Sequence, residues 1–450
     1  MFQKNLNIHF VGIGGSGMSS IAEILINLGH HVSGSDFKET EITKHLEVMG
    51  AKVYIGHNKK NINSADVVVT STAIARDNPE VVEALKKKIP VIQRVEMLAE
   101  LTRLKYPLTI AGTHGKTTTT SLAALVLSEG GLDPTIIIGG ELKNLKTSAK
   151  LGNGPYIIAE ADESDGSFLK LSPIVTAITN IDTDHLDFYG NMRNLRKAFV
   201  KHINGIAFYG VAILCSDDKI VRTITPEIMR KYVTYGINGN PDIKASNIKI
   251  LKNYTKFDVI YMGKKIGCTC IKIPGEHNVL NSLAAIGIGL WLDIPFNSIA
   301  KAIKDFDGVG RRFEIKGEKN GITVIDDYGH HPTEIIATLE AIKKKWPTHR
   351  LFVLFQPHRY TRTRQLFEKF GKSFFLADFV EVLDIYSANE QPIDGVTSEL
   401  ILKSLLENKC LAGKFLGLEN FSKNLSSGDI VLTLGAGDVW KKGEELLNLI

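Results

Sequence analysis

Nine residues, Gly112-Thr113-His114-Gly115-Lys116-Thr117-Thr118-Thr119-Thr120, place a lysine after two close glycines and then four threonines in a row. These types suit phosphate chemistry. Glycines let backbone N–H groups approach an anion, the lysine bridges β- and γ-phosphates, and the hydroxyl of Thr117 or Thr118 offers an oxygen to Mg2+. The usual loop has four residues between its glycines; here only Thr113 and His114 stand between Gly112 and Gly115, although the Gly-Lys-Thr end is intact. Acidic clusters extend the idea. Glu160 ends the apolar run Tyr156–Glu160 and is followed by Asp162, Glu163 and Asp165, while Asp182, Asp184, His185 and Asp187 follow a second run. Negative charge gathered at strand ends is unfavourable without a compensating cation. Thr117, Glu160 and His185 therefore form a magnesium ligand set that phosphate oxygens and water would complete. A third cluster holds Asp326, Asp327, Tyr328, His330 and His331, and a fourth His358, Arg359, Arg362 and Arg364, whose guanidiniums suit carboxylate or phosphate.

The elements that must position these groups recur three times. Pro107–Ala111 reads as a buried strand before the lysine loop, and the helix after it stops at Gly130–Gly131. Upstream, Gly12, Gly14 and Gly17 form G-x-G-x-x-G between a strand and an amphipathic helix, with Asp36 some twenty residues later, which by itself is a dinucleotide fingerprint. On that loop alone a nicotinamide-dependent oxidoreductase is the rival reading, but it leaves Gly112–Thr120 unexplained. A third alternation of strand and helix begins near Gly321. The fold class is α/β with three domains, expected at 1–106, 107–311 and 312–450: a Rossmann-like open sheet, a phosphate-loop α/β domain, and a second Rossmann-like domain. Polar clusters follow the strands each time, where open α/β sheets place their chemistry, so an enzyme working between domains is expected.

The whole chain narrows the class. Its 450 residues exceed one ordinary core, and 44% hydrophobic and 23% charged residues describe a soluble globular protein. A net charge of +5 without a basic block gives no nucleic-acid signature. Four cysteines make no disulfide framework, and Cys268 and Cys270, two apart in a strand, are expected to pack together in the core. The start of the chain runs straight into a strand and glycine loop, leaving no room for a signal peptide, and Leu283–Leu292 is too short to cross a bilayer. A cytoplasmic protein without membrane partners is expected.

Nine stretches in order through nearly the whole chain resemble the Mur ligase family: GIGGSGMSSIAEIL, GTHGKTTTT, EADESDGSF, NIDTDHLDFYG, GEHNVLNSLAA, GVGRRFE, DDYGHHPTEI, FQPHRYTRT and LGAGD. The resemblance implies an ATP- and Mg2+-dependent amide ligase that adds L-alanine to the carboxylate of UDP-N-acetylmuramate through an acyl phosphate. The ligase attaching a recycled peptide to the same sugar nucleotide is the nearest alternative. It also implies that the first glycine loop holds the UDP diphosphate, not NAD, with Gly12, Gly14, Gly15, Ser16, Gly17, Met18, Asp36, Ser71, Thr72, Asp162 and Ser164 toward that substrate. Toward ATP it places Gly112 to Thr118, with His277, Asn278 and Asn281 near adenine, Arg312 near the γ-phosphate and Asp326 near the ribose. Tyr328, His330, Arg359 and Arg362 would line the carboxylate and alanine region, with His330 a candidate proton acceptor. Several relatives carry a carbamylated lysine after the Asp-His pair; here the nearest register gives Phe199, so carbamylation is not expected.

Overall fold

The structure, a computed structural model, describes residues 5–71, 73–145, 147–251, 254–388 and 390–450, and of Ser16 and Asp187 only the backbone. Thr72 and the side chain of Ser16, both expected at the sugar-nucleotide site, lie outside that description.

Three sheets follow one another along the chain. The first contains β1 (Asn7–Val11), β2 (His31–Asp36), β3 (Lys52–Ile55), β4 (Val67–Thr70) and β5 (Val91–Gln93), all parallel, in the order β3-β2-β1-β4-β5. The order reverses beside β1, so the glycine loop after β1 emerges where an open sheet has its crevice.

The second sheet contains β6 (Tyr106–Ala111), β7 (Thr135–Leu142), β8 (Thr147–Lys150), β9 (Tyr156–Glu160), β10 (Val175–Ile178), β11 (Val211–Cys215), β12 (Tyr232–Gly236), β13 (Ile243–Ile250), β14 (Thr255–Tyr261) and β15 (Lys264–Ile271). Its order is β15-β14-β13-β12-β11-β10-β6-β9-β7-β8, so β6 runs parallel between β10 and β9. That placement delivers the lysine loop, the Glu160 loop and the Asp182–His185 loop to one edge. The third sheet contains β16 (Glu314–Lys319), β17 (Ile322–Asp327), β18 (Leu351–Phe355), β19 (Phe379–Val382), β20 (Ala412–Lys414) and β21 (Ile430–Leu434), in the order β16-β17-β21-β18-β19-β20. Only β16 runs antiparallel to its neighbour among these pairs.

The chain falls into two compact units, Met1–Asn247 with Phe257–Cys270 and Leu280–Phe306, and Ile248–Lys256 with Ile271–Val279 and Asp307–Ile450. In the first unit one apolar cluster runs from Ile8, Phe10 and Ile21 to Ile157 and Phe199. Its two sheets are also stitched by Ser20, whose hydroxyl lies 3.3 Å from Ile138 O and 3.0 Å from Ser148 Oγ. Phe199 is fully buried and packs edge-on against Phe168, which is why that position is apolar. In the second unit Leu351, Val353 and Phe355 face one cluster and Phe352 and Leu354 the other, as a strand covered on both sides requires.

The expectation for Cys268 and Cys270 is corrected. They share a face of β15, but Cys268 is exposed and Cys270 half-buried, while Thr269 and Ile271 turn inward. Thr269 can be buried because its hydroxyl donates to Ala300 O at 2.8 Å. Alternation fixes that two faces differ, not which is buried. No helix among the described residues is long and apolar enough to cross a membrane.

Candidate active site

The lysine loop is shaped by its glycines and braced from β10. Gly112 has φ +132° and Gly115 φ +80°, and a Cβ on Gly112 would stand 2.1 Å from Thr179 Oγ1, so neither position tolerates a side chain without displacement. Thr179 Oγ1 donates to His114 O at 2.7 Å, and His114 N donates to Asn180 Oδ1 at 2.9 Å. Asp182 N donates to Thr113 Oγ1 at 2.9 Å. Thr119 Oγ1, one turn into the helix Lys116–Glu129, donates to Asn281 Oδ1 at 3.1 Å, and Thr118 is buried beside it. That helix begins with no side-chain cap and no acid in its first turn, which leaves its positive end open to an anion.

Lys116 is placed by contacts that use its three N–H bonds: Gly112 O at 2.7 Å, Thr113 O at 3.3 Å, and Glu163 at 2.9 and 3.1 Å. Glu163 is 1% exposed. Burial works against the ammonium, but Glu163 and Asp162 more than offset it and hold Lys116 above the usual lysine range. Glu160 stands at the end of β9, accepting from Thr117 Oγ1 at 3.2 Å and from Gly139 N at 2.8 Å. Two of the three proposed magnesium ligands are therefore in contact. His185, in the left-handed region at φ +58°, turns its Nε2 to within 3.6 Å of Asp184 and 4.0 Å of Glu163.

The first glycine loop is built differently. Gly12 has φ +80°, and Gly15 N donates back to Gly12 O at 3.2 Å. Asp36, at the end of β2, accepts from Gly14 N at 2.9 Å, so its carboxylate fastens the loop itself. A Cβ on Gly17 would stand 2.9 Å from Nη1 of Arg94, and Arg94 Nη2 lies 3.7 Å from Asp162 Oδ2. Met18 is buried beneath the loop. Ser71 follows β4, where its carbonyl accepts from Ile74 N at 3.1 Å, and Ser164 N donates to Asp162 Oδ1 at 3.1 Å.

In the second unit, His277 is exposed beside Asn278, whose amide donates to Pro274 O at 2.7 Å. The guanidiniums of Arg311 and Arg312 each lie 4.9 Å from the centre of the Tyr328 ring. Asp326, expected beside a ribose, is fully enclosed. It accepts from Thr433 Oγ1 at 2.7 Å and from Arg311 Nε at 3.3 Å, because Thr433 is its register partner in the adjacent parallel strand. Its neighbour Asp327 accepts from Phe313 N and Gly329 N, both at 2.8 Å, and burial, partly countered by Arg312, raises it to about 6. His330 Nδ1 lies 3.0 Å from Tyr328 O; a carbonyl only accepts, so Nδ1 carries the hydrogen and Nε2 the lone pair of the neutral ring. Arg362 Nη1 lies 3.2 Å from His358 Nδ1. Burial, then His330 and the nearby arginines, push His358 down to about 3, so it stays neutral among these cations. Arg359 is exposed at φ +72°, with its N–H donating to Tyr386 O at 2.8 Å. A non-glycine residue held there is strained, as functional positions often are.

Three family domains match the chain in succession: the Mur ligase family catalytic domain over residues 7–106, the Mur ligase middle domain over 110–289, and the Mur ligase glutamate ligase domain over 311–437. The chain belongs to the Mur ligase family. Within it, the chain is 73% identical over 450 residues to a UDP-N-acetylmuramate–L-alanine ligase of Endomicrobium trichonymphae, covering all of both chains. It is 52% identical to the enzyme of that name from Geobacter sulfurreducens, covering 99% of this chain and 98% of the relative. A crystal structure of UDP-N-acetylmuramate-alanine ligase from Thermotoga maritima superposes with a TM-score of 0.85 at 32% identity, covering 99% of each chain. A murein peptide ligase from Psychrobacter arcticus, at 24% identity and TM-score 0.74 over 99% of this chain and 98% of that one, shares the fold.

Two residues of this Mur ligase escape a reading of its motifs. Glu163 stands in a run of acids, and nothing in the run marks it as the partner of Lys116. Arg94 lies 77 positions beyond Gly17, in a segment whose only sequence signal is the start of a helix.

Proposed function

We infer that this Mur ligase joins L-alanine to the carboxylate of UDP-N-acetylmuramate, converting ATP to ADP and phosphate, in the synthesis of peptidoglycan precursors. The observation that carries the reading is the 73% identity, over the whole chain, to a relative of that name. The placement of Lys116 and the Thr117–Glu160 pair supports the phosphoryl-transfer half.

The chemistry follows from the groups. A carboxylate is a poor acyl donor because it would have to expel oxide. Its oxygen instead attacks the γ-phosphorus of ATP, the bond to the bridging oxygen breaks, and ADP leaves. The amine of L-alanine then attacks the acyl carbon, the tetrahedral intermediate expels phosphate, and the amine proton passes to a base. Lys116 neutralises charge on the transferring phosphoryl group, and Arg312 is assigned beside it. Thr117, Glu160 and His185 would hold Mg2+, which draws charge from the phosphate oxygens when bound. Gly12 to Gly17 hold the diphosphate, with Asp36 fixing the loop that does so. His277, Asn278 and Asn281 are assigned to adenine, and Arg359 and Arg362 to carboxylates. His330 is assigned as the base, through Nε2. The work is divided among residues 1–106, 107–311 and 312–450.

ADP release is the test. It is expected only when UDP-N-acetylmuramate and L-alanine are both present. Release that prefers a preformed peptide over L-alanine would shift the activity to the recycling ligase.

A further inference from the structure

The loop after β9 carries two adjacent acids that face different cations. Asp162 lies 3.7 Å from the guanidinium of Arg94, and Glu163 lies 2.9 Å from the ammonium of Lys116. Arg94 packs over Gly17 in the first turn of the helix Ser16–Asn27, and Lys116 opens the helix Lys116–Glu129. Neither helix has a side-chain cap or an acid in its first turn, so each combines a positive helix end with a positive side chain. Such a pairing is unfavourable unless an anion lies nearby. Here the anions are consecutive carboxylates on one loop, kinked by Gly166 at φ +69° and fastened by Tyr189, whose hydroxyl donates to Glu163 O at 2.5 Å.

We propose that Arg94 is a further binding residue for the diphosphate of the sugar nucleotide, and that the Asp162–Glu163 loop is a stand-in anion coupling that site to the nucleoside triphosphate site. Without ligand, each carboxylate occupies a cation that a phosphate would take. A phosphate arriving at Arg94 releases Asp162, and one arriving at Lys116 releases Glu163. Because the acids are neighbours, whichever ligand binds first bears most of the cost of moving the loop. The second binds a loop already displaced, so the coupling is positive.

The inference rests on the reading of the first glycine loop as a sugar-nucleotide site, and the experiment separates the two. Calorimetry would measure UDP-N-acetylmuramate affinity with and without saturating Mg2+–ADP. In wild type, ADP is expected to tighten sugar-nucleotide binding by about fivefold or more. Arg94→Gln should weaken that binding by about ten- to hundredfold, and Arg94→Lys by less, because a lysine keeps the charge but not the fork. Gly17→Ala, whose methyl group would push the guanidinium aside, should also weaken it. Wild-type circular dichroism and an unshifted thermal melt in the Arg94 variants report that they are folded. In the double substitution Asp162→Asn with Glu163→Gln, sugar-nucleotide affinity, whatever its absolute value, should no longer respond to Mg2+–ADP.

Arg94 variants that bind UDP-N-acetylmuramate as wild type does would overturn the role of Arg94. Coupling that persists without the two acids would overturn the role of the loop. If wild type did not bind UDP-N-acetylmuramate at all, the underlying reading of the site would fall instead.

Discussion

The two glycine loops in the first unit occupy the same kind of place with different backbones, extended at Gly15 and left-handed at Gly115 where each helix begins. Each follows a central parallel strand and ends in an uncapped helix, so each presents N–H groups and a positive helix end. They differ further in what surrounds the backbone. Around Gly12–Gly17 the ionic groups are Asp36, spent on Gly14 N, and Arg94. Around Gly112–Gly115 stand Lys116 and, on the adjoining strand end, Glu160 with the Thr117 hydroxyl. On the proposed reading the first loop receives a diphosphate on its backbone N–H groups, its helix end and Arg94. The second has an acidic wall that would repel a triphosphate unless a divalent cation lay between them. A glycine pattern therefore identifies an anion site, and the charged side chains beside it decide which anion.

The division of work between the two loops depends most heavily on the lysine. Lys116→Ala should lower turnover by about 10³-fold, as loss of a preorganised charge at a transferring phosphoryl group does. Its calorimetric affinity for UDP-N-acetylmuramate should not fall, because loss of the ammonium only frees the Glu163 end of the acidic loop, and a matching loss there would show that the loops do not divide the work.

Acid should weaken the sheet of the first loop in particular. Burial opposes ionisation of Glu80, yet hydrogen bonds from His9, Ser35 and Asn61 prevail and hold it at about 2. A depressed carboxyl contributes stability above its unfolded pKa and loses it as pH falls toward the folded value. Glu80→Gln should therefore be less stable than wild type by about 3 kcal/mol near neutrality, with the gap closing below about pH 4.5. Paired thermal melts across that range would check it; a gap independent of pH would contradict it.

Glu160→Gln should weaken the apparent magnesium affinity, read from the magnesium dependence of turnover, by about 100-fold. Chelation of magnesium should abolish adenine-nucleotide affinity and leave sugar-nucleotide affinity in place. Among glycines, Gly112→Ala should destabilise by about 2–3 kcal/mol, since it combines a forbidden φ with a clash against Thr179. Gly15→Ala is the smallest expected effect, within about 0.5 kcal/mol by chemical denaturation, because an added Cβ meets nothing closer than Gly12 O at 3.5 Å. Comparable losses at Gly112 and Gly15 would mean that the loops are equally constrained.

What the sequence makes legible here is local. Both loops, the strands feeding them and the acid ending β9 follow from short-range patterns, because glycine, periodicity and strand-end polarity act within one element. Partner choice is not local. Glu163 and Asp162 are adjacent carboxylates with different cations, and only the turn between them decides which acid faces which. Arg94 reaches the first loop from another strand end, so no spacing rule could place it. Asp326 sits at a strand end like Glu160, but β21 supplies Thr433 in register and encloses it. His185 depends on a left-handed backbone at a non-glycine residue, which residue type alone does not announce.

On the proposed mechanism, phosphate from the lysine-loop nucleotide is placed on the carboxylate of the substrate held by the first loop. Isotope transfer tests it most directly. With UDP-N-acetylmuramate labelled by ¹⁸O in its carboxylate, one labelled oxygen per turnover should appear in inorganic phosphate and the other should remain in the new amide. Phosphate free of label, with amide still formed, would contradict the account.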